Sequence, residues 1–368
     1  MMNTHRQEPL ALPAPISKLI TDAIDDGIFP GAAISIGDQH GEIFRGHFGS
    51  RSLLPEILPM EAATLFDLAS LTKIVATTMV TLALVERGKL SLDDTLGQFF
   101  NTPGEDNHIP QDKQPITIRQ LMTHTSGLPA HAPLYNLAQS ARDVYGTILD
   151  MPLLAKPGEN VVYSCLGFIL LGRICELVSG TGLDHLAQQL VFNPLGLKNT
   201  GYTPKMQGNT FAATEYCSTS GVWLNGVVHD ENARFMGGVS GNAGVFSNIN
   251  DCAALAIMFA NKGNGIVPQA LFEAATQNLT THCEEGRGLG FAVKGRAAVS
   301  CGNIFSQGSY GHTGFTGTSM WVDGETSQYV VFLTNRVHPT RENNRLAGFR
   351  SVLHDACARE YQTFMQWQ

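Results

Sequence analysis

Apolar residues near the amino terminus recur first at helical spacing and then in alternation. Residues 16–26 show helical spacing that ends before Gly27, which predicts a helix. The segment GAAISIGDQHGEIFRGHFG follows directly. Its apolar stretches are separated by a glycine-bounded polar turn, so it predicts a β-hairpin with strands at 32–36 and 42–48.

The longest helical pattern runs over residues 70–87 and is closed by Gly88. From there to about residue 284, helix-like pieces alternate with turns. These pieces are residues 117–123, 166–179, 183–191 and 251–261. Asp251 precedes an apolar run, and we expect it to be the N-cap of the last piece.

Strand patterns return after Arg287. The extended segments are residues 290–294, 318–323 and 329–335, which are rich in β-branched and aromatic side chains. Residues 346–361 predict a final helix. Strands therefore occupy both ends of the chain and helices the middle.

This order predicts an α/β protein of the α+β type. One antiparallel β-sheet, built from both ends of the chain, is flanked by the terminal helices, and the middle forms a mainly helical domain. The expected sheet domain comprises residues 12–68 and 285–368, and the expected helical domain comprises residues 69–284.

Composition excludes some classes of protein. The 368 residues include 24 basic and 32 acidic side chains, for a formal net charge of −8. This acidic balance argues against nucleic acid as a partner, because phosphates require a basic surface. The longest apolar candidate, residues 74–85, is interrupted by three threonines, so no membrane span is expected.

The amino-terminal residues and the cysteines bear on localisation. The first residues lack a continuous apolar region and a small-residue cleavage site, which predicts a cytoplasmic protein, or a periplasmic one if a leader has been trimmed. The seven cysteines include no C-x-x-C pair, and their irregular spacing favours a reducing compartment.

Ser70 and Lys73 form a short pattern at the start of the long predicted helix. Residues three apart share a helix face, so the lysine can reach the serine hydroxyl. The positive helix N-terminus favours a developing oxyanion, and we expect burial to lower the pKa of the lysine so that it acts as a base. The alternative is that Ser70 only caps the helix and Lys73 is solvated.

Two further segments extend this pattern: Tyr163-Ser164-Cys165 and His312-Thr313-Gly314. Ser-x-x-Lys, Tyr-Ser-Cys and His-Thr-Gly in this order resemble the serine β-lactamase and penicillin-binding-protein superfamily, nearest to the class C β-lactamases and the related esterases and D-aminopeptidases. Further segments similar to that branch are Phe29-Pro30-Gly31, LMTHTSGLP, KPGENVVYSCLGFILLG, NPLGLKNTGY and HDENARFMGGVSGNAGVFSNINDCA.

The resemblance implies a β-lactamase/transpeptidase-like fold with the active site in a cleft between the two domains. It implies that Ser70 attacks a carbonyl to form an acyl-enzyme while Lys73 and Tyr163 share the proton. The oxyanion hole would be the backbone N–H groups of Ser70 and Phe315. His312 would stand where most relatives have lysine, and its charge would then depend on pH.

Cys165, Thr313 and Gly314 complete the implied substrate-binding positions together with His312. Cys165 departs from the family pattern, because relatives that cleave β-lactams usually carry an asparagine there that donates to the substrate amide. A thiol is a weak donor, which puts efficient β-lactam hydrolysis in doubt. The alternative is that Cys165 is only a small residue beneath the following helix.

No metal or cofactor is expected. His124 and His131 flank a Gly-Pro loop, but no carboxylate or cysteine at ligand spacing accompanies them. Asn242 either lines the cleft or shapes a turn.

The sequence therefore predicts a serine acyl hydrolase whose partner is a small-molecule substrate: a small ester, a D-amino-acid peptide from the cell wall or a β-lactam. A DD-carboxypeptidase or a true class C β-lactamase is the alternative within the same chemistry. A catalytically silent protein that binds cell-wall fragments is the alternative from another class. The oligomeric state stays open.

Overall fold

The two ends of the chain join in one sheet in a computed structural model, which describes residues 8–101, 109–202, 210–295 and 300–367. The strands are β1 Leu10–Ala11, β2 Gly31–Asp38, β3 Gly41–Ser52, β4 Leu58–Pro59, β5 Phe66–Asp67, β6 Gly201–Tyr202, β7 Tyr216–Cys217, β8 Val222–Trp223, β9 Val245–Ser247, β10 Gly286–Arg287, β11 Ala292–Val293, β12 Tyr310–Thr313, β13 Ser319–Val322 and β14 Tyr329–Thr334.

Helices occupy the middle of the chain and both of its ends. The α-helices are α1 Ala14–Asp25, α2 Met79–Glu86, α3 Leu96–Phe100, α4 Ile118–Met122, α5 Leu134–Leu137, α6 Val144–Asp150, α7 Cys165–Ser179, α8 Leu183–Ala187, α9 Glu231–Phe235, α10 Ile249–Ala260, α11 Gln269–Thr276 and α12 Leu346–Gln366. A 3₁₀ turn, Ala69–Leu71, and a π-helical segment, Lys73–Thr78, lead into α2, and a second π-helical segment, Gln188–Phe192, follows α8.

The main sheet has the order β1-β3-β2-β14-β13-β12-β11-β10, with β4 paired to β3. Strand β14 pairs antiparallel with β2, from Tyr329 opposite Gly37 to Thr334 opposite Ala32, so the carboxyl-terminal strands continue the amino-terminal hairpin. Every neighbouring pair from β3 to β10 is antiparallel, as predicted, whereas the two-residue β1 runs parallel to β3.

Both faces of the sheet are covered, which explains why β14 reads as a continuous apolar run. Val330 and Phe332 pack towards α1 and α12, while Val331 and Leu333 belong to the core shared with the helical middle of the chain. Successive side chains of a strand point to opposite faces, so a strand buried on both sides has no polar alternation.

Most predicted elements are confirmed. The helix at 16–26 is α1, the hairpin is β2 and β3, and the final helix is α12. With 21 residues, α12 is longer than the 18-residue helical segment Ala69–Glu86, which the sequence had indicated as the longest. Strand β12 and the small sheet β5-β9-β6 within the helical middle were not predicted from the sequence.

The predicted N-cap of α10 is wrong. The cap is Asn248, whose side chain accepts a hydrogen bond from the backbone N–H of Asp251 at 3.0 Å. The Asp251 carboxylate instead accepts from Asn199 N at 2.6 Å and from Thr200 Oγ1 at 3.0 Å. Asp251 thus fixes a distant loop, a role that local sequence does not reveal.

The helical segment Ala69–Glu86 is mostly apolar and runs through the interior. By length and composition alone this segment could cross a membrane, since its mean hydropathy is 1.4, although the sequence predicts no membrane span. In the structure 83% of this window is buried inside the protein. Burial on all sides is the environment of a core helix.

Gly241 packs directly on α7. A Cβ atom at this position would lie 1.9 Å from the Phe168 carbonyl oxygen, and the Gly241 carbonyl accepts a hydrogen bond from Thr77 Oγ1 at 2.8 Å. Only glycine therefore allows this segment to approach the helix so closely.

We expect Gly241→Ala to lower the free energy of unfolding by roughly 1–3 kcal/mol, as overpacked cores usually do. Gly348→Ala in α12 is the matched control, because a Cβ there meets no atom within 4 Å. Urea unfolding of the two variants tests the difference. Equal stability of both variants would contradict the close packing at Gly241.

Candidate active site

Ser70 lies in the 3₁₀ turn that follows β5. The preceding residue, Ala69, has a φ of +46°, in the left-handed region that non-glycine residues rarely adopt. The buried Asp67 carboxylate holds this turn by accepting from Ala69 N at 2.8 Å and from His229 N at 2.7 Å. Ser70 faces a cavity of about 810 Å³.

Lys73 is fully buried directly behind Ser70. Its Nζ donates to Ser70 Oγ at 3.0 Å, to the Asn242 carbonyl at 3.0 Å and to Cys165 Sγ at 3.5 Å. An ammonium group has three donors, and here each has an acceptor. The predicted contact between Ser70 and Lys73 is confirmed, and the alternative of a solvated Lys73 is wrong.

The expected lowering of the Lys73 pKa is also wrong. Burial does lower the pKa, but attraction to the ionised forms of Cys165 and Tyr163 outweighs burial and raises the pKa above its ordinary 10.5. The three acceptors around Nζ fit an ammonium ion in the resting site. The interactions that decide the direction come from residues some 90 positions away in the sequence.

Tyr163 lies just before α7 and contacts several charged or aromatic groups. Lys73 Nζ is 5.1 Å from its ring centroid and Arg287 Cζ is 5.3 Å from it, while the His124 ring lies at 4.6 Å. Burial raises the pKa of Tyr163 more than Lys73 lowers it, so the resting phenol is neutral.

His312 lies on β12 with 4% of its surface exposed. Its Nδ1 is 2.7 Å from the Thr313 carbonyl oxygen, and because a carbonyl only accepts, Nδ1 carries the proton. Burial, followed by the charges of Lys73 and Arg287, lowers the pKa of His312 to about 3. The expected pH-dependent charge at this position is therefore wrong: His312 is neutral at working pH.

The turn between β12 and β13 is tied to the turn that carries Ser70. Thr316 Oγ1 donates to the Asp67 carbonyl at 2.7 Å, and Thr318 Oγ1 donates to the Leu68 carbonyl at 3.0 Å. At Gly314 a Cβ atom would lie 2.5 Å from the Leu68 carbonyl oxygen, so glycine is required there.

Phe315 lies within the same turn, between Gly314 and Thr316. Within the described residues, the backbone N–H groups of Ser70 and Phe315 have no hydrogen-bond acceptor in the protein. The Phe315 side chain is 49% exposed, stacks on His229 with ring centroids 5.7 Å apart and lies 4.6 Å from Arg336 Cζ. Both N–H groups thus remain free to bind a developing oxyanion.

The structure brings all the predicted site residues together. Those lining the cavity are Ser70, Tyr163, Cys165, His312, Thr313, Gly314 and Phe315. Lys73 lies behind them. Cys165 is partly exposed to the cavity and accepts from Lys73, so it is more than a small residue beneath α7.

Sequence reasoning assigned no role to several residues around the cavity. The Asp230 carboxylate accepts a hydrogen bond from Asn242 Nδ2 at 3.2 Å, which fixes the loop whose Asn242 carbonyl contacts Lys73. Of the two roles considered for Asn242, this agrees with the shaping of a turn. In addition, the backbone carbonyl of Asn242 contacts Lys73 directly. The segment HDENARF, already noted for its resemblance, was the one sequence signal for Asp230.

An ion-pair network forms part of the cavity wall. Arg341 Nη2 donates a hydrogen bond to the Glu231 carboxylate at 2.6 Å. The Glu215 carboxylate forms hydrogen bonds with both Arg341 and His229. Burial alone would raise the pKa of Glu215, but the hydrogen bonds from His229 and Arg341 lower it to about 2. Arg341 is therefore neutralised by carboxylates, and Arg287 likewise pairs with Glu285 at 2.7 Å. Arg336 and Arg350 also line the cavity and, within the described residues, form no such ion pair.

His124 and His131 do not form a metal site with other residues that the structure describes, since no group of three or more possible ligands is found there. His124 Nδ1 accepts from Ser164 N at 3.0 Å and its ring packs on Tyr163, whereas His131 lines the cavity. His124 therefore supports the position of Tyr163.

The fold and the site geometry place the protein among the serine acyl hydrolases of the β-lactamase and penicillin-binding type. A family model described as Beta-lactamase matches residues 16–353, and the chain belongs to this family. A relative from Escherichia coli K12 is 33% identical over 88% of this chain and 82% of its own length, and its provisional name is D-alanyl-D-alanine carboxypeptidase. A Salmonella enteritidis relative with the same provisional name is also 33% identical, over 81% of this chain and 76% of its own length.

Solved structures share the fold at lower identity. EstCE1, described as a hydrolase with promiscuous acyltransferase activity, has a TM-score of 0.76 at 24% identity and covers 93% of this chain and 97% of its own. The octameric penicillin-binding protein homologue from Pyrococcus abyssi has a TM-score of 0.71 at 23% identity, covering 87% and 73% respectively.

The raised pKa values of Lys73 and Tyr163 predict the pH dependence of the reaction. The reactive form of this pair has lost one proton, so we expect kcat/KM for an ester to rise about tenfold per pH unit from about pH 6 to about pH 9. His312 is neutral throughout this range and should add no inflection near pH 6.5. Initial rates are measured at each pH, and the background rate of the Ser70→Ala variant is subtracted from them. A plateau that begins below about pH 7 would mean that the base has a lowered pKa.

Proposed function

We propose that the protein hydrolyses a small ester through an acyl-enzyme on Ser70. The contact of 3.0 Å between Lys73 Nζ and Ser70 Oγ, inside a cavity that Tyr163 also lines, carries this proposal. In the family, this arrangement supplies a nucleophile together with a group that accepts its proton.

The chemical steps use groups already in place. Ser70 Oγ bonds to the ester carbonyl carbon as its proton passes to the pair of Tyr163 and Lys73. The resulting oxyanion accepts from the N–H groups of Ser70 and Phe315. The bond to the leaving oxygen then breaks, and the departing alcohol takes the proton. Water adds to the acyl-enzyme, releasing the carboxylic acid and restoring the Ser70 hydroxyl.

Two features favour esters over β-lactams. Cys165 offers a weak donor where an amide side chain of the substrate needs a good one. His312 is neutral and presents the unprotonated Nε2, so it supplies no cation for the carboxylate that β-lactams carry.

A DD-carboxypeptidase is the second candidate. The provisional names of the relatives point to this activity, and Arg336 and Arg350 bring positive charge to the cavity wall for a terminal carboxylate. A catalytically silent binding protein is disfavoured, because Ser70, Lys73 and Tyr163 are all present and in contact.

Ser70→Ala tests the central claim. We expect turnover of a p-nitrophenyl ester and labelling by a fluorophosphonate to vanish, because the nucleophile is lost. Stability should change by only about 1 kcal/mol, the usual net value of one hydrogen bond. Ser140→Ala, at an exposed serine, is the matched control and should keep full activity. Substantial ester hydrolysis by Ser70→Ala would exclude Ser70 as the nucleophile.

The substrate preference is tested by comparing kcat/KM for one ester and one cephalosporin. We expect the wild-type protein to favour the ester. Cys165→Asn should improve cephalosporin turnover relative to the ester by about tenfold, the effect of one well-placed hydrogen bond. His312→Lys should improve turnover of the anionic cephalosporin at every pH from about 5 to 9, since His312 itself is neutral throughout.

Cys217→Asn, outside the cavity, is the control for the cysteine substitution and should leave the ratio unchanged. A wild-type preference for the cephalosporin would contradict the proposed ester specificity. A benefit of His312→Lys confined to pH values above about 6.5 would show that His312 titrates as a free imidazole does.

A further inference from the structure

Arg350 extends from α12 to the turn between β12 and β13. It is buried, with 9% of its surface exposed, and still forms part of the cavity wall. Its Nη2 donates to the Gly314 carbonyl at 3.2 Å and to the Thr318 carbonyl at 2.9 Å. The arginine therefore spans both ends of the turn that contains Phe315.

The Gly314 carbonyl and the Phe315 N–H belong to one peptide unit. A trans peptide is planar, and its C=O and N–H bonds point in opposite directions. A donor that fixes the carbonyl therefore also fixes the direction of the N–H. A cationic donor additionally polarises the peptide, which makes the N–H a stronger hydrogen-bond donor.

The charge of Arg350 has no carboxylate partner. Within the described part of the chain, its hydrogen-bond acceptors are the two turn carbonyls, and its Nε has no partner. Burial, together with the nearby charge of Arg336, lowers the pKa of Arg350 to about 10, so it remains cationic at neutral pH. Burying an unpaired cation is costly, but the cost falls when an anion forms on the other side of the peptide.

We propose that Arg350 is a positioning residue of the oxyanion hole, which aligns and polarises the Phe315 N–H through the Gly314 carbonyl. This inference rests on the proposed function, because it requires a tetrahedral oxyanion formed by Ser70. Arg350 acts through the peptide and makes no bond to the reacting atoms.

Arg350→Gln tests the inference with a p-nitrophenyl ester and the corresponding thionoester. Removing an oxyanion-hole donor usually lowers kcat by about 10²–10³-fold, so misaligning one should lower it by about 10- to 100-fold, with KM changed little. Sulfur accepts hydrogen bonds poorly, so the wild-type protein should strongly favour the ester over the thionoester. This ratio should fall by about tenfold or more in Arg350→Gln, because the discriminating donor is weakened.

Arg345→Gln is the matched control at the start of α12. Arg345 also donates to two backbone carbonyls, those of Asp26 and Gly27, but these lie outside the cavity. We expect this variant to keep the wild-type kcat and the wild-type ester-to-thionoester ratio. Thermal unfolding of each variant reports whether it folds.

The outcomes separate the two claims. If the wild-type protein shows no Ser70-dependent hydrolysis, the proposed function fails. If that hydrolysis is present but Arg350→Gln keeps the wild-type ratio, only the role of Arg350 fails, whatever happens to kcat. If Arg350→Gln does not fold, Arg350→Lys replaces it: lysine keeps the charge without the planar fork, so a lowered ratio supports the proposal and an unchanged ratio overturns it.

Discussion

The site depends on two hydroxyl groups that join the sheet to the helical part of the chain. Thr316 and Thr318 donate to the carbonyls of Asp67 and Leu68, immediately before the turn that carries Ser70. The nucleophile belongs to one region and the Phe315 N–H to the other, so these two bonds set the relative positions of both. The absence of a side chain at Gly314 allows the backbones to come this close.

Positive charge dominates the interior of this site and explains its titration behaviour. Lys73 and Arg287 flank Tyr163, and together with burial they keep His312 neutral. The same charges lower the pKa of His124 well below its ordinary value, after the larger effect of burial. A site of this kind stabilises the oxyanion that forms when Ser70 attacks a carbonyl. Its imidazoles serve as neutral hydrogen-bonding groups.

Periodicity predicted the terminal helices, the hairpin and most of the sheet, because these elements have regular apolar patterns. The spacing of Ser70 and Lys73 also predicted their contact, since it depends only on helix geometry. The direction of the Lys73 pKa was not predictable, because it depends on Cys165 and Tyr163, which tertiary folding brings near. The neutral state of His312 likewise depends on burial beside Lys73 and Arg287, and Arg350 reaches the site from a helix more than 30 residues downstream.

Cys165 links the proton chemistry of the site to its choice of substrate. Its sulfur accepts from the Lys73 ammonium, which is the role an asparagine carbonyl oxygen plays equally well. An asparagine, however, also has an NH₂ group left to donate to a substrate amide, whereas a thiol has only its weak S–H. Replacing asparagine by cysteine therefore preserves the environment of the lysine and removes the recognition of an acylamino side chain. Under the proposed function, acyl transfer is retained, and substrates that lack this side chain gain the relative advantage.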